Sequence, residues 1–100
     1  MNKIEFEYNF NNIINGDINR AYKHWLMCSY LYYELDVNVI NDDEFNMLSR
    51  YLLDNYNHIT DMYKHLVTKD NFKSSTGYDI KYPTMIKHLA IDYYNGFKRR

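Results

Sequence analysis

The chain has 100 residues, 46% hydrophobic and 18% aromatic, a composition that excludes a disordered chain and suits one small domain spanning 1–100 with no separate catalytic domain. The formal net charge of -1 excludes a global field for drawing in nucleic acid or an anionic membrane, although Lys98, Arg99 and Arg100 make a local basic end. The single cysteine, Cys28, excludes an internal disulfide framework, MNKIEFEYNF lacks a signal-peptide core, and no window nears the ~20 apolar residues of a membrane span, so a soluble, cytoplasmic protein is expected.

The first segment alternates Ile4, Phe6, Tyr8 and Phe10 with polar residues, the period of a half-buried strand. Tyr78, Ile80 and Tyr82 alternate in the same way, which allows a short two-stranded β ribbon joining the termini. Gly16 and Asp17 then read as a helix start. Ile18, Ala21, Tyr22, Trp25, Leu26, Ser29, Tyr32 and Tyr33 recur at three and four residues, predicting an amphipathic helix that ends near Leu35 or Asp36.

Residues Val37 to Asn41 form a corner. Asn41 followed by Glu44 is a variant of the capping box, and Asp42, Asp43 and Glu44 suit the positive end of a helix dipole, so a second helix starts at Asp42 or one residue earlier. Its stripe of Phe45, Leu48, Leu52, Asn55, Ile59, Met62 and Leu66 reads as one long helix or as two. Asn55, Asn57 and His58 favour a break, with a third helix to about Val67. TKDNFKSSTG, residues 68–77, reads as a loop. Pro83 opens a last helix that turns Met85, Ile86, Leu89, Ala90, Tyr93 and Tyr94 inward and stops at Gly96. The fold class is mainly α, a small helical domain built around a helical hairpin.

The common signatures of chemistry are missing: the glycines are isolated, and there is no CxxC or HExxH. His58, Asp61 and His65, at i, i+3 and i+7, would share one helix face, but a single helix rarely closes a metal site without a fourth group, so the set reads as a solvated face and no metal is expected. His24 and His88 have no patterned partners and read as surface or half-buried histidines. Cys28 reads as a buried, inert thiol. The tyrosines have no basic stripe beside them, so they read as core and not as a platform for single-stranded bases.

One run has the form of a motif: Tyr30-x-Tyr32-Tyr33-x-x-Asp36-x-x-x-Ile40-x-Asp42-x-Glu44-Phe45-Asn46-x-Leu48. Asp42, Phe45 and Asn46 fall at i, i+3 and i+4, on one face of the second helix. The run resembles the small N-terminal Ia domain of bacterial NAD-dependent DNA ligases, in which a helix ending in Y-x-Y-(H or Y)-x-x-D is followed by a corner and then I-x-D-x-E-Y-D-x-L. The likeness covers about residues 22–53, near a third of the chain, without a gap through the motif.

In that family the domain closes over NAD and holds its nicotinamide mononucleotide half. The resemblance implies the same ligand here, NAD or nicotinamide mononucleotide, at Tyr32, Tyr33, Asp42, Phe45 and Asn46. Tyrosine faces and a carboxylate both favour a cationic pyridinium ring. Two positions depart from the family pattern: Phe45 lacks a hydroxyl and Asn46 lacks a charge, each worth about 1–3 kcal/mol of binding. The chain contains no K-x-D-G, so the resemblance implies a non-catalytic module, not an enzyme. Small stand-alone proteins that look like this domain occur in viral genomes, and the Asn-, Ile- and Tyr-rich composition is compatible with such an origin, which would place the chain in a host cytoplasm. The competing expectation is a small viral accessory protein that binds a host or viral protein through exposed aromatic residues, its nucleotide site lost.

Overall fold

The computed structural model describes residues 18–77 and 79–98, the last two by backbone only. Four α-helices account for most of them: α1 (Ile18–Leu35), α2 (Asp42–Asp54), the short α3 (Lys69–Ser74) and α4 (Thr84–Lys98). The fold is mainly α, as expected. No helix among the described residues is long and apolar enough to cross a membrane.

Helix α1 is the axis of the molecule and packs against both α2 and α4. Its predicted stripe is real at Ala21, Tyr22, Trp25, Leu26 and Ser29, but His24, Cys28, Tyr30 and Leu31 are buried as well, so the middle of the helix is enclosed on most sides. Trp25 is the centre of the core. Its indole stacks on Phe45 of α2 (centroids 5.0–5.1 Å from each of its ring neighbours, 22° between the planes in this pair) and meets Phe72 of α3 edge-on. Rings of this size each remove about 150–250 Å² from water, which is how so short a chain builds a core.

Enclosing a helix all round buries polar groups, and each of them has a partner. Trp25 Nε1 donates to Ser49 Oγ at 2.7 Å, and Ser49 passes its own proton to the Phe45 carbonyl at 2.8 Å. Tyr82 Oη donates to the Gly77 carbonyl at 2.7 Å, so the 2.7 Å contact between Ser29 and Tyr82 must use the serine proton. His24, expected at or near the surface, is instead buried, with Nε2 3.6 Å from Cys28 Sγ and its ring edge-on to Tyr93. Burial pushes its imidazole down to about 4.

Helix α1 ends where Asp36 adopts a left-handed φ of 56° and the Val37 N–H returns to the Leu31 carbonyl at 2.8 Å. Aspartate tolerates that conformation better than most residues. Helix α2 begins at Asp42 as predicted, with the Asn41 side chain accepting the Glu44 N–H at 2.8 Å. Asp54 is its last residue, so the break at Asn55–His58 is real.

Three expectations fail. No third α-helix runs to Val67: the segment holds two short 3₁₀ turns, Tyr56–His58 and Lys64–Leu66. Tertiary bonds pull it out of helical register, since Tyr22 Oη donates to the Tyr63 carbonyl at 2.6 Å, Lys23 pairs with Asp61 at 3.3 Å, and Asn19 bonds both to the Thr60 N–H and to its hydroxyl. Residues 68–77 are not all loop, because Thr68 and Asn71 form a reciprocal capping box that starts α3. Helix α4 runs through Gly96 to Lys98, and Met85 and Leu89 lie exposed while Ile86 and Ala90 carry the buried contact. The β ribbon is not shown: no strand occurs among the described residues. Residues 1–17, which hold the first half of the proposed ribbon and the Asp17 helix start, and Tyr78 lie outside them. In the second half Ile80 and Tyr82 are buried between exposed Asp79 and Lys81, so the alternation exists, but Tyr82 faces Ser29 and the Tyr30 ring of α1.

Candidate functional site

The last turn of α1, the corner and the first turns of α2 surround an open pocket of about 240 Å³. Helix α1 contributes Cys28, Tyr32 and Tyr33; the corner contributes Val37 through Ile40; α2 contributes Asp42, Phe45 and Asn46. Ser74 and Ser75, at the end of α3, close the remaining side. Tyr32, Tyr33, Asp42, Phe45 and Asn46, the positions singled out in the sequence, are thus brought together around one cavity. Sites for drug-sized ligands commonly measure about 300–1,000 Å³, so this one suits a guest smaller than most such ligands.

Helical geometry explains the convergence. Cys28 and Tyr32 are one turn apart on α1, while Asp42, Phe45 and Asn46 occupy one face of α2. Asn41 sets where that face points by fixing the first turn of α2. Phe45 serves two regions, stacking on Trp25 and lining the pocket. Tyr32 is 45% exposed and Tyr33 half-buried, with ring centroids 4.7 Å apart and planes at 84°. A flat guest lying on one of these rings therefore turns its own edge to the other, so the pair forms a corner of two aromatic walls and not a parallel clamp.

Tyr33 is also tied to the rest of the fold. Burial, then the neighbouring Tyr32 and the Asp42 carboxylate, push its phenol up, and a hydrogen bond with the Gly77 backbone pulls it down. The Cys28 thiol, 3% exposed, is pushed well above its ordinary range by burial and by the carboxylate of Glu44. It is a protonated apolar floor and not a nucleophile.

Ser74, Ser75 and the floor residue Cys28 were not foreseen as part of the site. The signal for Cys28 was present in its one-turn spacing from Tyr32. Nothing local marks the serines. Ser75 takes φ 56° at the end of α3, and because Ser49 gives its proton to Phe45, the 2.9 Å contact between the two serine hydroxyls uses the proton of Ser75. That bond connects the pocket wall to the indole of Trp25 through Ser49.

No group of metal-ligating side chains large enough to hold an ion occurs among the described residues. His58 and His65 sit in separate 3₁₀ turns and Asp61 pairs with Lys23, so the helical face that would have joined them does not exist. No protein-family model matches the chain, and neither curated proteins nor solved structures provide a match.

Proposed function

We propose that the protein is a non-catalytic binding module whose pocket takes the nicotinamide end of an NAD-derived compound, as the resemblance to the ligase Ia domain implies. The observation that supports this reading is the shared cavity: all five positions inferred from the motif line it, on two helices and without help from any other part of the resemblance. The pyridinium ring lies on one tyrosine of the Tyr32–Tyr33 corner and turns its edge to the other. Asp42 offsets the ring charge or bonds the ribose, and Asn46 offers a neutral hydrogen bond. The size of the cavity favours the mononucleotide half over the whole of NAD, whose adenylate would lie outside.

Calorimetric titration with nicotinamide mononucleotide and with NAD tests the proposal. Heat of binding that Asp42→Ala abolishes, in a variant whose unfolding midpoint stays at the wild-type value, supports it. A folded protein that gives no heat at millimolar ligand rejects it. The second reading, a protein-binding accessory factor, draws on the exposed Tyr32 and Leu35, three residues apart on α1, and on exposed Met47 of α2.

A further inference from the structure

The charges around the pocket divide its candidate ligands. Among the described residues that line it there is no lysine or arginine, and Asp42 is the one formally charged side chain. A second carboxylate acts on the floor residue. Glu44 has a buried Oε2 with no hydrogen-bond partner among the described residues, and its charge is felt at the Cys28 thiol, which lines the cavity. A buried carboxylate oxygen without a partner is costly, and a cation in the adjoining cavity would lower that cost.

The start of α2 is the one feature that argues the other way, since helix N-termini attract anions. Here that attraction is already spent. Asp42, Asp43 and Glu44 put three carboxylates in the first turn, and Asn41 occupies the Glu44 N–H. A phosphate, with its charge of about -1.5 to -2, would meet like charges and no counter-ion in the cavity.

Resting on the reading above, we propose that the pocket selects by charge: it takes the pyridinium nucleoside, a monocation, in preference to its phosphorylated form, with Asp42 in the wall, reinforced by the unpartnered carboxylate of Glu44, setting the preference. Nicotinamide riboside is the ligand of this class, and the mononucleotide binds with its phosphate held away from the acidic end.

The test is a set of calorimetric titrations of the full chain with nicotinamide riboside, nicotinamide mononucleotide and nicotinic acid riboside, at low and at high salt. The acid riboside matches the amide in size but carries a further negative charge, which separates charge from volume. The riboside is expected to bind about tenfold more tightly than either of the others at low salt, with the ratio shrinking as salt rises. In Glu44→Gln the ratio should fall several-fold. Mononucleotide binding as tight as or tighter than riboside overturns the charge selection and leaves the nicotinamide site standing. Equal binding of the two ribosides overturns it too. An unchanged ratio in a folded Glu44→Gln removes Glu44 from the assignment, and if that variant does not fold, the salt dependence of the wild type decides. No heat from any of the three overturns both this proposal and the site itself.

Discussion

Helix α1 treats its aromatic residues differently at its two ends. From Ala21 to Leu31 the helix is enclosed, and Tyr22, Trp25 and Tyr30 are buried with their polar atoms spent inside the protein or their rings packed edge-on. One turn further on, Tyr32 is exposed and Tyr33 half-buried, and both line the pocket. The residue type is the same and the periodicity runs on unbroken. What changes is the cover: α2, α3 and α4 surround the middle, while the corner swings away from the last turn. A stripe read from sequence predicts which side of a helix is apolar, and the neighbours decide whether that side becomes core or cavity.

The contrast predicts that substitutions in the enclosed part cost stability and that those around the open part cost little. The largest effect is expected at Trp25, where Trp25→Ala removes the central ring and its bond to Ser49; about 3–5 kcal/mol should be lost in urea or guanidinium unfolding. A loss below about 1 kcal/mol would deny Trp25 its central place.

His24 comes next. Its imidazole is held neutral, falling from 6.5 when unfolded to about 4 in the folded chain, so the unfolded state binds the additional proton between those values. The stability concerned is present in full above pH 6.5 and is lost as the pH falls through about 4, a total of about 3 kcal/mol. Unfolding midpoints followed through that interval should drop more steeply in the wild type than in His24→Phe, and identical slopes would mean that the ring is hydrated.

Gly77 marks the boundary between the two regions. A methyl group there would collide with Ser29 Oγ and come within 3.1 Å of both the Trp25 ring and the Tyr82 hydroxyl, so Gly77→Ala should cost about 1–3 kcal/mol. Because Tyr33 bonds to the same backbone, this variant should also weaken ligand binding, which joins the two regions in a single measurement. The smallest effect belongs to the open end: Asn41→Ala removes the α2 cap and should lower stability by about 1 kcal/mol, read from the unfolding midpoint.

Legibility in the sequence followed the same division. The start of α2 was plain because its signals are local, an asparagine cap followed by acidic residues. The break after Asp54 was also local, in a cluster of poor helix formers. By contrast, the stripe of Ile59, Met62 and Leu66 promised a helix, yet Met62 is 71% exposed and the segment follows the pull of Asn19, Tyr22 and Lys23, some forty residues earlier in the chain. Helix α3 was hidden by composition: a single apolar residue, Phe72, buries its face, and the capping box uses asparagine where glutamate or glutamine is usual. The five pocket positions were reached through a resemblance and two helix faces, whereas Ser74 and Ser75 arrive from a distant segment that no local pattern ties to the corner.

The tract between α2 and α4 is mostly irregular, and phenols hold much of it in place. Tyr22, Tyr56 and Tyr82 each fill space with a ring and reach past it to a main-chain carbonyl, at Tyr63, Val67 and Gly77 respectively. Such a side chain works as a strut with an adhesive tip, giving order to backbone that repeats no pattern. Exchanging these tyrosines for phenylalanine would keep the volume and remove only the tip. These three tyrosines thus serve as architecture for the described loops, where many small domains rely on covalent stapling.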